Sequence, residues 1–267
     1  MINKRQTPKF TLMVVGSKGS GKSAFLNSLV NKEIVKGDSN TGIDIYLLNL
    51  EFSGGLQKVN FIDTPGFGYS MDDTDLQESI IDYIKEQFDS YIEEETKIRR
   101  NVKYEDTRVH ALVYLIPATG NGLKRRDIVF LEKASSFVNI IPVISKTEGM
   151  TKSEISEVKD LVRKQLASYN IKIFDFDNQE YTHRNESYVP LNGMIPFACV
   201  FPEKIGEKQR IRAHPSFICE IDNPGHTDYT SLRDALLSTH NGALIEVTDA
   251  ELYEKYRAEA LENILKD

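Results

Sequence analysis

Apolar residues recur along this chain in two rhythms. Near-continuous apolar runs at 10–15, 109–116 and 138–144 have the composition of parallel strands buried on both faces. Between them, apolar residues fall three and four apart, as one face of a helix requires. Phe25, Leu26, Leu29 and Val30 make one such set, and Ile80, Ile81, Ile84, Phe88, Tyr91 and Ile92 another within a helix predicted over 74–100. A shorter helix is expected over 127–134, and the capping box Thr151-Lys152-Ser153-Glu154 opens one that runs to Tyr169. Runs at 43–52 and 57–62 flank Ser53-Gly54-Gly55 and read as a hairpin. Short strands are expected at 171–176 and 195–200. This alternation predicts an α/β fold with a doubly wound, mostly parallel sheet and a ligand at the carboxyl ends of its strands.

Beyond Pro202 the rhythm changes. Short strands are expected at 209–213 and 216–221, and a helix over 228–237. Thr248-Asp249-Ala250-Glu251 reads as a second capping box. It would open a charged helix on which Leu252, Tyr256, Ala260, Leu261, Ile264 and Leu265 form an apolar stripe. That stripe suits packing on the chain's own domain or on a partner subunit.

Chemistry enters at Gly16-Ser17-Lys18-Gly19-Ser20-Gly21-Lys22-Ser23, which fits the phosphate-binding pattern G-x-x-x-x-G-K-[ST]. A strand precedes it and a helix beginning near Ala24 follows, the order this chemistry needs. Glycines let successive N–H groups curl round a phosphate, and the helix N-terminus adds its positive end. Lys22 would reach the β- and γ-phosphates, and the Ser23 hydroxyl would bind Mg²⁺. About forty residues on, a strand ends in Asp63-Thr64-Pro65-Gly66. Asp63 would hold Mg²⁺ through water, and the Gly66 N–H would face the γ-phosphate. The polar segment 31–42 between these elements offers Thr41 and Ser39 as hydroxyl ligands or as plain surface groups. Lys18 is unusual where small residues are common: it adds charge near the γ-phosphate, crowds the site, or reaches solvent.

Composition narrows the setting. The 267 residues form one large domain or two small ones, and a net charge of −7 does not favour nucleic acid or anionic lipid. Cys199 and Cys219 have no ligand-like spacing and suit buried strand positions in a reducing compartment. The polar stretch 1–8 lacks the character of a signal peptide, and no apolar run is long enough to cross a bilayer, so the chain reads as cytosolic. His110, inside an apolar run, reads as a structural histidine.

Over about residues 10 to 260 the chain resembles septins, the GTP-binding filament proteins. The phosphate loop and Asp63-Thr64-Pro65-Gly66-Phe67-Gly68 are similar to the septin nucleotide motifs. So are Asp106-Thr107-Arg108-Val109-His110 and Gly120-Asn121-Gly122-Leu123-Lys124-Arg125-Arg126-Asp127, and the order Asn223-Pro224, His226, Asp228-Tyr229, Leu232-Arg233 and Thr239-His240 near the end. The resemblance implies a Ras-like P-loop G domain over 10–205, after a short arm at 1–9, and a septin-specific extension at 206–267 packed on the same domain. It implies GTP or GDP with Mg²⁺ as cofactors. Nucleotide contacts fall at Gly16 to Ala24 and Gly66, and Lys146, Glu148 and His214 stand on the base side. Ser23, Asp63 and Thr41 would hold metal, with Thr41 and Lys22 serving any hydrolysis.

The chain departs from the septin pattern where the base is read. Glu148 replaces the usual Asp, His214 a base-contacting Arg, and Phe201 a Gly; the Trp-Gly pair is replaced around Ser216-Phe217. Phe67 stands where many GTPases carry the water-orienting Gln, so slow hydrolysis and a mainly structural nucleotide are expected. The expected partners are the chain itself and other septins, at the cytoskeleton or cell cortex and in cytokinesis, with a weak peripheral membrane contact left open. The competing reading is a monomeric GTPase switch cycling between GTP and GDP states.

Overall fold

The computed structural model describes residues 9–36, 42–52, 55–68, 72–99, 101, 104–178, 190–206, 210–215 and 217–264. Six strands form the central sheet: β1 (Phe10–Gly16), β2 (Asp44–Phe52), β3 (Gly55–Asp63), β4 (Ala111–Pro117), β5 (Asn139–Ser145) and β6 (Phe197–Cys199). Their order is β2-β3-β1-β4-β5-β6. All neighbours run parallel except β2, which returns antiparallel along β3 with Leu47 opposite Asn60. The doubly wound, mostly parallel sheet expected from the pattern is present.

Every residue of β1 and of β5 is buried, and the reason is two-sided packing. Alternate side chains of a strand point to opposite faces. Leu12 and Val14 therefore join one core with Phe25, Val113 and Val143, whereas Met13 and Val15 join the other with Ile80, Leu112 and Val162. The helices supply these cores: α1 (Lys22–Val30), α2 (Thr74–Thr96), α3 (Arg125–Ala134) and α4 (Lys152–Ser168). At α4 the Thr151 hydroxyl accepts from the Glu154 N–H at 3.3 Å, and the Glu154 carboxylate accepts from the Thr151 N–H at 2.7 Å, so the first capping box forms.

After β6 come the hairpin β7 (Ile211–His214) and β8 (Phe217–Glu220), then α5 (Tyr229–Asp234), α6 (Asn241–Val247) and α7 (Glu254–Ile264). π-helical turns at Ala235–Thr239 and Thr248–Tyr253 follow α5 and α6. Tyr229, Leu232, Leu236, Leu244 and Val247 lie in the same core as Leu12 and Val14. The terminal helices thus complete one face of the sheet.

Three local expectations fail. Thr248 caps nothing: it sits inside a helical run, fully buried, and donates back to the Leu244 carbonyl at 2.8 Å. The Asn139 amide donates to the Thr248 hydroxyl at 3.0 Å and to the carbonyls of His110 and Leu244. Thr248 thus serves a buried junction of β4, β5 and α6, which fits its hydroxyl as well as a cap would. Residues 171–176 make no strand. The Phe174 N–H bonds the Ile140 carbonyl at 2.9 Å, but neighbouring groups are met by side chains: Asn192 accepts from the Phe176 N–H, and Asp177 accepts from the Leu191 N–H. The helix begun at Thr74 ends at Thr96, four residues before the expected Arg100.

The apolar stripe near the end packs on its own domain over its first half. Leu252, Tyr253 and Tyr256 cluster with Phe88, Tyr91 and Ile92 of α2, and Leu261 remains exposed. The Tyr256 hydroxyl donates to Asp89 at 2.7 Å and the Tyr253 hydroxyl to Glu95 at 2.6 Å. Leu265 lies outside the described residues. No described helix is long and apolar enough to cross a membrane.

Candidate functional site

The glycine loop, Asp63 and the segment Lys146–Glu148 all follow the carboxyl ends of parallel strands β1, β3 and β5. An α/β sheet places ligands at that edge. β1 delivers the loop at Gly16, and α1 takes over at Lys22. Gly21 holds the turn into α1 at φ 96°, a left-handed conformation that glycine adopts without strain. Ser20 is buried and its hydroxyl makes no hydrogen bond among the described residues, while Lys18 and Gly19 face solvent. Lys22 Nζ lies 3.4 Å from the carbonyls of Gly16 and Ser17, folded over the loop.

Two further groups converge there. Ser23 Oγ stands 3.3 Å from Asp63 Oδ2, bringing together the two expected Mg²⁺ ligands. The segment after Asp63 lies across the loop: the Phe67 N–H donates to the Gly16 carbonyl at 3.2 Å, and the Lys18 N–H to the Phe67 carbonyl at 2.8 Å. Gly66 is pressed in by this approach. A Cβ there would lie 2.6 Å from Lys18 Cα and 2.8 Å from Lys22 Nζ, so only glycine fits. Phe67 is fully buried and packs edge-on against Phe130 at 5.2 Å, in line with the expectation that it orients no water. Thr41 and Ser39 lie outside the described residues.

On the base side, Lys146 adopts φ 63° and a short 3₁₀ turn, Thr147–Gly149, carries Glu148. Strand β7 runs alongside. Arg212 Nε faces Glu148 Oε1 at 3.4 Å, and His214 Nε2 would stand 3.7 Å from a Cβ on Gly149. Glu148 Oε2 is buried and has no hydrogen-bond partner among the described residues. A buried, unpaired carboxylate oxygen is costly unless a donor arrives. The structure thus brings Glu148, Arg212 and His214 near one another, with Lys146 at the start of the same turn. Phe201 is buried against the end of the phosphate loop: its ring lies 5.4 Å from Phe25, and a Cβ on Gly21 would touch it at 3.3 Å.

Three residues of this site carried no role in the sequence reading. Arg212 was visible only as a neighbour of His214. Arg126 donates to Ser17 Oγ at 3.2 Å and to Asp73 at 3.2 Å, although α3 is far from the loop in sequence. Asp73 in turn accepts from the Gly68 N–H at 2.8 Å. Nothing local in the sequence marks such long-range partners. The two cysteines behave as expected for buried strand residues. Burial pushes both thiols up, for Cys219 with help from the nearby Glu148 carboxylate, so neither is activated.

Away from the site, Asp106-Thr107-Arg108-Val109-His110 forms a buried knot. Arg108 is 2 % exposed, stacks on Tyr91 at 3.6 Å, and pairs with Asp106 at 2.7 Å and with Asp249 at 2.5 Å. Burial alone would raise the Asp106 pKa, but the His110 imidazole 3.6 Å away and the hydrogen bonds from Arg108 outweigh it and hold that carboxyl well below the usual range. His110 Nδ1 accepts from the Thr11 N–H at 3.0 Å, a structural role.

With this geometry in view, comparison with known proteins is direct. The family model described as Septin matches residues 6–267. The chain is 50 % identical to Cell division control protein 11 of Encephalitozoon cuniculi over 262 residues, 98 % of either chain. It is similar to the crystal structure of Cdc11 from Saccharomyces cerevisiae, with a TM-score of 0.63 and 32 % identity, covering 94 % of this chain and 99 % of that one. A Septin GTPase domain from Chlamydomonas reinhardtii aligns with a TM-score of 0.71 at 23 % identity, over 94 % of this chain and 98 % of that one, a likeness of fold. Since the match takes in the glycine loop, the buried Arg108 knot and the terminal helices alike, this chain belongs to the septin family.

Proposed function

We propose that this septin binds a guanine nucleotide with Mg²⁺ at the carboxyl edge of its sheet, turns it over slowly if at all, and assembles through that face. The loop amides from Gly16 to Ala24 would cradle the phosphates with Lys22, and the Gly66 N–H would meet the terminal one. Ser23 and Asp63 would hold Mg²⁺, and Thr41 would join them. Among the described residues no cluster of three or more His, Cys, Asp or Glu side chains gathers. Mg²⁺ bound through phosphates needs only one or two protein ligands, so the donor set fits. On the base side the unpaired Glu148 oxygen is an acceptor of the kind guanine's N–H groups require, beside Lys146 and His214. Bound, the nucleotide supplies phosphate charge and a base edge; the chain supplies donors, acceptors and an enclosing wall.

One observation carries the assembly half of this reading. The hairpin that pairs with Glu148 through Arg212 also exposes two large apolar side chains, Phe217 at 43 % and Ile218 at 60 %. Base-reading group and apolar surface share one small element, so occupancy of the pocket bears on the contact surface. The E. cuniculi relative is named for cell division control, and that name supports a place in cytokinesis and cortical organisation. The partners would be a second copy or other septins, at the cytoskeleton or cortex, with residues 206–267 acting as an extension of the nucleotide domain.

Light scattering after size exclusion, with GDP, a triphosphate analogue or no nucleotide, tests both halves. The parent should self-associate in a nucleotide-dependent way. Ile218→Asp should give a monomer that still binds nucleotide, and Lys22→Ala should lose nucleotide. A strict monomer at high concentration with rapid multiple turnover would favour the switch enzyme instead.

A further inference from the structure

The fork of Arg126 touches three segments at once. From the first turn of α3, Nη2 donates to Ser17 Oγ in the phosphate loop at 3.2 Å, and Nη1 donates to Asp73 Oδ2, just before α2, at 3.2 Å. The same carboxylate accepts from the Gly68 N–H, at 2.8 Å to Oδ2 and 3.0 Å to Oδ1. The guanidinium lies on Gly68 itself, where a Cβ would meet Nη1 at 2.7 Å and Nη2 at 2.9 Å. Behind it, the Arg126 carbonyl accepts from the Gln77 amide of α2 at 3.0 Å. Neighbouring Asp127 accepts from the Tyr114 hydroxyl at 2.8 Å and the Lys124 N–H at 2.9 Å, and its Oδ1 lies 3.7 Å from Arg126 Nε, an ion pair that steadies the base of the fork while Nη1 and Nη2 reach Asp73 and Ser17. The Asp73 side chain is only 7 % exposed, so the cation beside it matters more than a surface partner would.

The stretch so held is Gly66–Gly68, whose first residue presses on Lys18 and Lys22. We infer that Arg126 is a positioning residue that tethers this stretch to the phosphate loop and thereby sets the preference for a nucleoside triphosphate over a diphosphate. This rests on the nucleotide reading of the site given above. The Gly66 N–H can distinguish the two ligands only if it is held at the place of the terminal phosphate. Main-chain bonds through Phe67 fix one side of the stretch, and Arg126, through Asp73 and Gly68, fixes the other. A lysine would put one point charge there and could not span Ser17 and Asp73 in a fork.

The experiment compares the parent with Arg126→Ala and Arg126→Lys in two arms. In the first, affinities for GDP and for a non-hydrolysable GTP analogue are measured with Mg²⁺. Arg126→Ala should weaken the triphosphate about tenfold and the diphosphate by less than about threefold, within the usual range of coupling between a protein contact and a ligand site. Arg126→Lys should recover part of the ratio. In the second arm, hydrogen exchange is followed in the nucleotide-free protein. Arg126→Ala should speed exchange at Lys18, Phe67 and Gly68 and leave the amides of β4 and β5 unchanged. Equal weakening of both nucleotides, or an unchanged ratio, overturns the inference even if the protein is less stable. So does unchanged exchange at Phe67 and Gly68. A parent that binds neither nucleotide overturns the site reading and the preference together; the exchange arm separates that result from failure of the tether.

Discussion

At the scale of single residues, Glu148 carries the greatest weight for specificity. One carboxylate oxygen faces Arg212 and the other is buried with no donor among the described residues, so the residue is half-committed before any base arrives. Glu148→Gln keeps the shape but replaces one acceptor by a donor. It should cut discrimination between GTP and ATP by about tenfold or more, since a mispaired buried polar group costs about 1–3 kcal/mol. Competition of labelled GTP by ATP measures this, and an unchanged ratio would remove Glu148 from base reading. His240 makes a second residue-scale case. Burial lowers its pKa, so the folded chain binds that proton less readily than the unfolded chain, whose ring titrates near pH 6.5. The unfolded state then binds more protons below that pH, and stability must fall as pH drops from 7 toward 5.5. Thermal melts of the parent and of His240→Gln over that range should show a shallower pH slope in the variant, whatever its stability at pH 7.

Among the elements, the terminal helices are held by charge as well as by apolar packing. Arg108 comes from the segment before β4, Tyr91 from α2, and Tyr253 and Asp249 from the π-helical turn, and all meet at one guanidinium. Arg108→Ala should cost about 2–3 kcal/mol in urea unfolding, somewhat below a fully enclosed ion pair because Asp249 is half exposed. A loss under about 0.5 kcal/mol would show that the apolar cluster alone docks the helices. This element also shows where reading from sequence works. Strands buried on both faces announce themselves as apolar runs, and the glycine loop, Asp63 and Gly66 stand in fixed local order, so the sheet and the phosphate side of the site were legible. Thr248 misled because Thr-x-x-Glu is equally a cap and a buried hydroxyl followed by a surface carboxylate; only the tertiary partner Asn139 decides. Residues 171–176 misled because their apolar pattern is real, but Asp177 and Asn192 take the hydrogen bonds that a neighbouring strand would. Arg126 and Arg212 were illegible because each acts across a gap of more than fifty residues, where composition and spacing carry no record of the partner.

At the level of the whole molecule, the boundary that the septin resemblance implies near residue 205 leaves the packing undivided. Leu12 and Val14 of β1 share a core with Leu236, Leu244 and Val247, and Asn139 of β5 bonds the carbonyl of Leu244. Produced separately, fragments 1–205 and 206–267 should each lack a cooperative thermal transition. Mixed, they should regain one, with near-ultraviolet dichroism reporting recovered side-chain order; a cooperative melt of 1–205 alone would make the later segment an accessory. The knot at Arg108 extends the argument to how the chain acquires its structure. The Arg108 guanidinium finds Asp106 two residues away but its second carboxylate, Asp249, only when nearly all of the chain exists. During synthesis on a ribosome the sheet is therefore complete in sequence well before one of its faces can be covered. For that interval Leu12, Val14 and their neighbours form an apolar surface that only residues 229–247, emerging later, can cover.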